Sequence, residues 1–207
     1  MGVRRAAVVA LGVLLLGCAG ADVSVSADAP AKVLFSADDL PSGFEVANVA
    51  KPSLPSWCGG PAIELQGVVK SAAEIWTFRP GDEQRASIEN IVVRFRPSAI
   101  DRFLSAVQSD QTRCAGGVDI TTADGVNLRG QSAELELGLG EGGMAIEANG
   151  GTRINGGPAS GGWASRIVVR RGDSVAIVIF AVAGLEYDRG MRDRLAHLAE
   201  KQLEGMP

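Results

Sequence analysis

The stretch SIENIVVRFRPSAIDRFLSAVQSDQTRC, residues 87–114, decides the fold. In its first part Ile91, Val93 and Phe95 fall on one side, with Asn90, Arg94 and Arg96 on the other. A period of two belongs to a strand with one buried face, so a strand is predicted over 87–96. Pro97 ends the ladder but suits the first turn of a helix, where its missing N–H is no loss. Ile100, Phe103, Leu104 and Val107 then recur at i, i+3, i+4 and i+7, giving a helix over 98–112 with one apolar stripe. A strand and a helix that each have an apolar side must bury those sides together.

Working outward, Ser36 and Asp39 have the spacing of a capping box around a single turn, which Pro41 and Gly43 stop. A short strand over 44–49 follows, then a Pro/Gly/Ser-rich loop over 52–61 carrying Trp57 and Cys58, then strands over 64–69 and 72–78. Beyond the helix, residues 116–130 hold two short strands around a turn at 122–125. Ala133, Leu135 and Leu137 then alternate with Glu134 and Glu136, a half-buried strand with a wet face. Glycine punctuates residues 138–162, which read as flexible loops with one short strand over 144–148. Strands over 163–170 and 174–182 form a hairpin around Arg171-Gly172-Asp173, and the second arm is apolar on both faces, as in a central strand. Met191, Leu195 and Leu198 give the segment 187–205 the stripe of a docking helix. The expected class is α+β, a mainly antiparallel twisted sheet with two helices packed on one face.

The N-terminus has a different character. Arg4 and Arg5 precede eleven small or apolar residues over 6–16, too few to span a bilayer core of ~30 Å but right for an export signal. The signal ends in Leu15-Leu16-Gly17-Cys18, which resembles the bacterial lipobox, whose cysteine thiol receives a diacylglycerol and becomes the first residue after cleavage. Two acyl chains, each worth ~0.8 kcal/mol per buried CH₂, hold a protein stably at a membrane. Residues 1–17 are therefore read as a signal peptide, Cys18 as the lipidation site, 18–34 as a small, polar tether, and 35–207 as one extracytoplasmic domain. The membrane, reached through the acyl anchor, is the first expected partner. An exported chain folds where thiols oxidise, and with Cys18 acylated the remaining pair, Cys58 and Cys114, is expected to form a disulfide.

The chemistry-bearing residues are sparse. Formal charge is −4, and losing Arg4 and Arg5 takes it to −6, so nothing general attracts nucleic acid. The lone histidine, His197, lies about 200° around its helix from Leu195 and should face water, leaving no base for a serine or cysteine nucleophile. No Walker lysine follows the glycines, no CxxC is present, and Asp38, Asp39, Glu134 and Glu136 lack calcium-loop spacing, so neither cofactor nor metal is expected. Trp57, Trp76 and Trp163 read as packing residues, Arg94 and Arg96 as a solvated face, and Arg171-Gly172-Asp173 as turn chemistry rather than an adhesion signal. The chain is expected not to be an enzyme.

Three stretches, FSADDLPSGFEV, AIDRFLSAVQSDQTRC and IVVRRGDSVAIVIFAV, together with the lipobox, resemble an actinobacterial, especially mycobacterial, lipoprotein with a sensor-type domain. That domain is similar to the extracellular part of PknH-type receptor kinases. The resemblance implies a sheet-and-helix cleft for a ligand and carries over no catalytic residue. The kinase domain has two disulfides, whereas this chain has cysteines for one. The function that follows is a lipid-anchored envelope protein with a non-enzymatic sensing or ligand-binding domain, contacting a small ligand or an envelope protein. The alternative is a lipid or glycolipid carrier with an apolar cavity between sheet and helices.

Overall fold

The computed structural model describes residues 33–48, 52–114, 117–139, 141–204 and 206. The signal peptide, Cys18 and all of the tether before residue 33 lie outside the described residues.

The elements are β1 (Glu45–Asn48), β2 (Val68–Gly81), β3 (Gln84–Phe95), α1 (Pro97–Arg113), β4 (Val118–Thr121), β5 (Val126–Leu135), β6 (Met144–Ile154), β7 (Ala159–Arg171), β8 (Ser174–Ala183) and α2 (Arg189–Glu204). A single turn over Ala37–Asp39 precedes them, with the Ser36 backbone N–H and hydroxyl both donating to Asp39 Oδ2. All eight strands form one antiparallel sheet in the order β1-β2-β3-β8-β7-β6-β5-β4. The α+β class and its two helices are as the sequence implies. Among the described residues no helix is long and apolar enough to cross a membrane.

β8 sits at the centre, and all ten of its residues are buried. Its two faces feed different cores. Ala176, Val178, Phe180 and Val182 pack with Ile88, Val92, Ile167 and Val169 against Met191, Leu195 and Ala199 of α2. Val175, Ile177 and Ile179 pack with Ile91, Val93 and Phe95 against Ile100, Phe103 and Val107 of α1. The helices therefore cover opposite faces rather than the one face expected. A strand apolar on both sides needs cover on both, and one helix cannot supply it.

The same fact corrects the reading of β3. Its supposedly wet side carries Ile88 and Val92, and Asn90 there is fully buried. Asn90 is tolerated because its amide is satisfied: Oδ1 accepts from the Phe35 N–H at 3.1 Å and from Gln202 Nε2 at 2.8 Å, while Nδ2 donates to Gln202 Oε1 at 3.1 Å.

The glycine-rich region is also sheet rather than loop, since β6 and β7 run through most of it. A Cβ on Gly130 would lie 1.8 Å from Asn149 O, and one on Gly150 would lie 2.1 Å from Arg129 O. β5 and β6 approach too closely there for any side chain, so glycine is what permits the pairing.

Candidate functional site

Three polar clusters stand out against this apolar frame. On the α1 face the centre is Asp110, three residues beyond Val107 and on the same stripe, and fully buried. Ser56 Oγ donates to its Oδ1 at 2.6 Å, while the Trp57 N–H at 3.0 Å and Arg166 Nη1 at 2.8 Å donate to Oδ2. Burial by itself would raise this carboxyl, but those donors and the Arg166 charge hold it below the usual range. Arg166 is itself wholly enclosed, with its guanidinium carbon 5.3 Å from the centroid of the Trp57 ring.

Cys58 and Cys114 are joined beside this cluster, with Cα atoms 5.2 Å apart. The link closes a 56-residue separation, worth roughly 4 kcal/mol on the chain-entropy model. Asp110 and the two sulfurs also lie within metal-ligating distance of one another. Sulfurs spent in a disulfide are not thiolates, so the group is a staple rather than a metal site.

A second cluster on the same face ties the β4–β5 turn to β3. Glu89 Oε1 accepts from the Ala123 N–H at 2.7 Å, and Arg85 Nη1 donates to Asp124 O at 2.8 Å. Glu89 has no guanidinium donor, and burial pushes its pKa up to about 7.

On the α2 face the arrangement is open. Tyr187, in the β8–α2 connection, stacks on Trp163 of β7 with ring centroids 5.1 Å apart and planes 11° from parallel, and its ring also lies 5.7 Å from that of Phe180. Burial, reinforced by the nearby Glu147 charge, raises the pKa of the Tyr187 hydroxyl against the opposing effect of Ser165. Arg192 Nη1 meets Glu147 at 2.7 Å and Nη2 meets Asp193 at 2.6 Å. Beside this stack lies a cleft of about 710 Å³ lined by Trp163, Glu186, Tyr187, Asp188, Arg189 and Gly190. Asp188 is partly committed, because its Oδ1 accepts the Met191 N–H and caps α2. A groove of about 550 Å³ runs between Gln108 and Gln111 of α1 and the loop after β5, with Leu137 and Met144 on its wall.

The residues singled out in the sequence scatter. His197 is exposed on α2, and among the described residues its side chain makes no hydrogen bond or ion pair. Asp173 of the Arg-Gly-Asp tripeptide is engaged by Arg94 at 3.2 Å, and Arg171 by Glu204 at 3.4 Å, so the tripeptide is bound into the fold. Arg96, Glu134 and Glu136 are exposed. Trp57 and Trp76 are core residues, whereas Trp163 is the half-exposed one. Sequence reasoning missed Asp110, though its place on the apolar stripe was visible. It also missed Glu147, Arg166 and Arg192, which sit in strands and a helix with no local mark of pairing.

No family model matches the chain, and no curated sequence matches it. Among solved structures it is similar to the extracellular domain of PknH from Mycobacterium tuberculosis, at 14% identity and a TM-score of 0.57, covering 84% of this chain and 94% of that one. LpqN, involved in cell envelope biogenesis of Mycobacterium tuberculosis, aligns at 14% identity over 78% of each chain with a TM-score of 0.30. The first likeness is one of fold, so the PknH-like architecture stands.

Proposed function

We propose that this chain is an extracytoplasmic envelope protein, tethered by acylated Cys18, whose domain binds a ligand without chemically changing it. The observation that carries the binding role is the cleft beside the Trp163–Tyr187 stack, where half-exposed aromatic rings border charged side chains at the start of α2. Such a mix of apolar face and a few polar groups is what small-ligand sites offer. The non-enzymatic reading is supported by the distribution of reactive groups: the histidine is exposed and does not line the cleft, and the buried carboxylates are committed to structural partners. The PknH-like fold supports the extracytoplasmic setting.

The carrier alternative draws less support. An acyl chain between sheet and helix would occupy space that Phe180, Ala196 and Leu195 fill on one face and Ile177, Phe103 and Val107 fill on the other.

Two measurements test the proposal. Cys18→Ser should move the protein from the membrane to the soluble fraction of the producing cells, and unchanged fractionation would overturn the anchor. A panel of neutral, cationic, anionic and acyl probes followed by nuclear magnetic resonance should shift the Trp163 and Tyr187 signals with at least one probe class. Silence across the panel would overturn the binding role.

A further inference from the structure

The sheet beside the cleft contains glycines of two kinds. Gly150 and Gly162 have no room for a side chain: a Cβ would lie 2.1 Å from Arg129 O in the first and 2.2 Å from Thr152 Cγ2 in the second. Gly151 and Gly161 are different. Directly opposite each other in the β6–β7 ladder, they have open space where a Cβ would stand. Neither is among the residues with positive φ, and the β6–β7 register runs without a bulge. Backbone geometry and packing do not ask for glycine at these two positions. In a strand interior a glycine required by neither leaves room for a ligand or another backbone to approach closely.

What surrounds that bare floor defines the visitor. Register places Gln131, Asn149 and Trp163 in one row across β5, β6 and β7, on the face that carries α2, with Arg129, Gly151 and Gly161 in the next row. Gln131 and Asn149 are exposed, and among the described residues their side chains make no hydrogen bond. Each amide offers both donors and acceptors. Tyr187 lies beside Ser165 and Glu147 and stacks on one face of the indole, while Gly161, two residues along β7 from Trp163 in the direction away from Ser165, is exposed. Arg129 is paired with Asp119 at 2.9 Å, so the platform carries little net charge.

A half-buried indole with a single ring stacked on it among the described residues, two unpaired amides, a floor without side chains and near neutrality suit a flat, uncharged, hydroxyl-rich ring. We infer that the Gln131–Asn149–Trp163 row, floored by Gly151 and Gly161, binds a neutral saccharide. Its apolar C–H face packs on Trp163 while its hydroxyls exchange hydrogen bonds with the two amides. The inference rests on the reading of the Trp163–Tyr187 cleft as a ligand site and extends that site to the other side of Trp163, the residue that the cleft and the row share. Both a free glycan and the headgroup of a glycolipid present that chemistry.

The test is a titration of the isotopically labelled protein with maltose, cellobiose and, below its micelle concentration, dodecyl maltoside. The disaccharides are expected to shift the Trp163 indole N–H, the side-chain amides of Gln131 and Asn149, and the backbone amides of Gly151 and Gly161. If dodecyl maltoside binds about tenfold or more tighter than maltose, the glycolipid source is supported; equal affinity supports a free glycan. Gly151→Leu and Gly161→Leu each put a side chain on the floor where a Cβ meets no heavy atom within 4 Å, so each should keep the parent's cooperative melting transition while weakening saccharide binding about tenfold or more, some 1.4 kcal/mol. Unchanged affinity in both variants overturns the inference. If choline or phosphate shifts Trp163 and Tyr187 while no saccharide does, the saccharide assignment falls and the cleft remains a ligand site. If no probe shifts them, both fall.

Discussion

Two arginine–carboxylate pairs lie back to back on the same stretch of sheet. Arg166–Asp110 faces α1, Arg192–Glu147 faces α2, and the strand residues concerned are one step apart, since Ile146 pairs with Arg166 and Glu147 with Ser165. The first pair is dry: both side chains are 0% exposed, and the disulfide and Trp57 close the face around it. The second keeps 11% and 10% exposure, shares its arginine with the more exposed Asp193, and lies under a tyrosine that borders an open cleft. Similar ion chemistry thus serves two ends. On one face a buried charge network, stapled covalently, holds the Trp57 loop to α1. On the other the network has no covalent link near it and supports a surface that is left accessible.

The sharpest way to break the comparison is to remove Asp110. Asp110→Ala strands the Arg166 charge in a dry site and should cost about 3–5 kcal/mol in chemical denaturation. Combining Asp110→Leu with Arg166→Met should recover most of that loss, because no uncompensated charge remains. A loss below about 1 kcal/mol for Asp110→Ala would mean that the α1 face is wetter than its geometry implies.

Glu89 sharpens the contrast from within the α1 face, being a buried carboxyl without an arginine partner. Its pKa is raised in the fold from 4.5 to about 7, so the folded state holds a proton that the unfolded state has released between those values. Stability should therefore fall as pH rises from about 4.5 to 7, by up to about 3 kcal/mol from this group. Glu89→Gln keeps an acceptor for the Ala123 N–H and should flatten that part of the pH profile. Denaturation midpoints with the same pH slope in variant and parent would refute the assignment.

The smallest effect is expected on the open face. Arg192→Ala removes an ion pair that water already reaches, and should cost about 1–2 kcal/mol, clearly less than Asp110→Ala. It should also loosen Tyr187, read as a change in near-ultraviolet circular dichroism or in the Trp163 signal. A cost equal to that of Asp110→Ala would erase the distinction between the two faces.

Much of this was legible along the chain. The switch at Pro97, the turn at Gly172-Asp173 and the stripe of α2 are local patterns, and each produced the element it implied. The candidate site was far less legible. Trp163 was visible as an aromatic residue but not as the half-exposed one, because its exposure depends on a tyrosine from another element and on glycines in the adjacent strand. Asp110 carried a hint in its helical phase, while Arg166 and Glu147 carried none: partners 56 and 45 residues away leave no mark in a local period.

By itself the sequence determined where chain direction and periodicity change, since steric limits on proline, the pitch of a helix and the two-residue repeat of a strand act between near neighbours. It likewise set β8 as a central strand, because a segment apolar on both sides has nowhere else to go. Only the tertiary structure decided that the helices take opposite faces, that glycine-rich segments are strands, and which arginine meets which carboxylate. Those outcomes depend on which surfaces remain uncovered once the sheet is assembled, and that is a property of residues distant in sequence brought within a few ångströms.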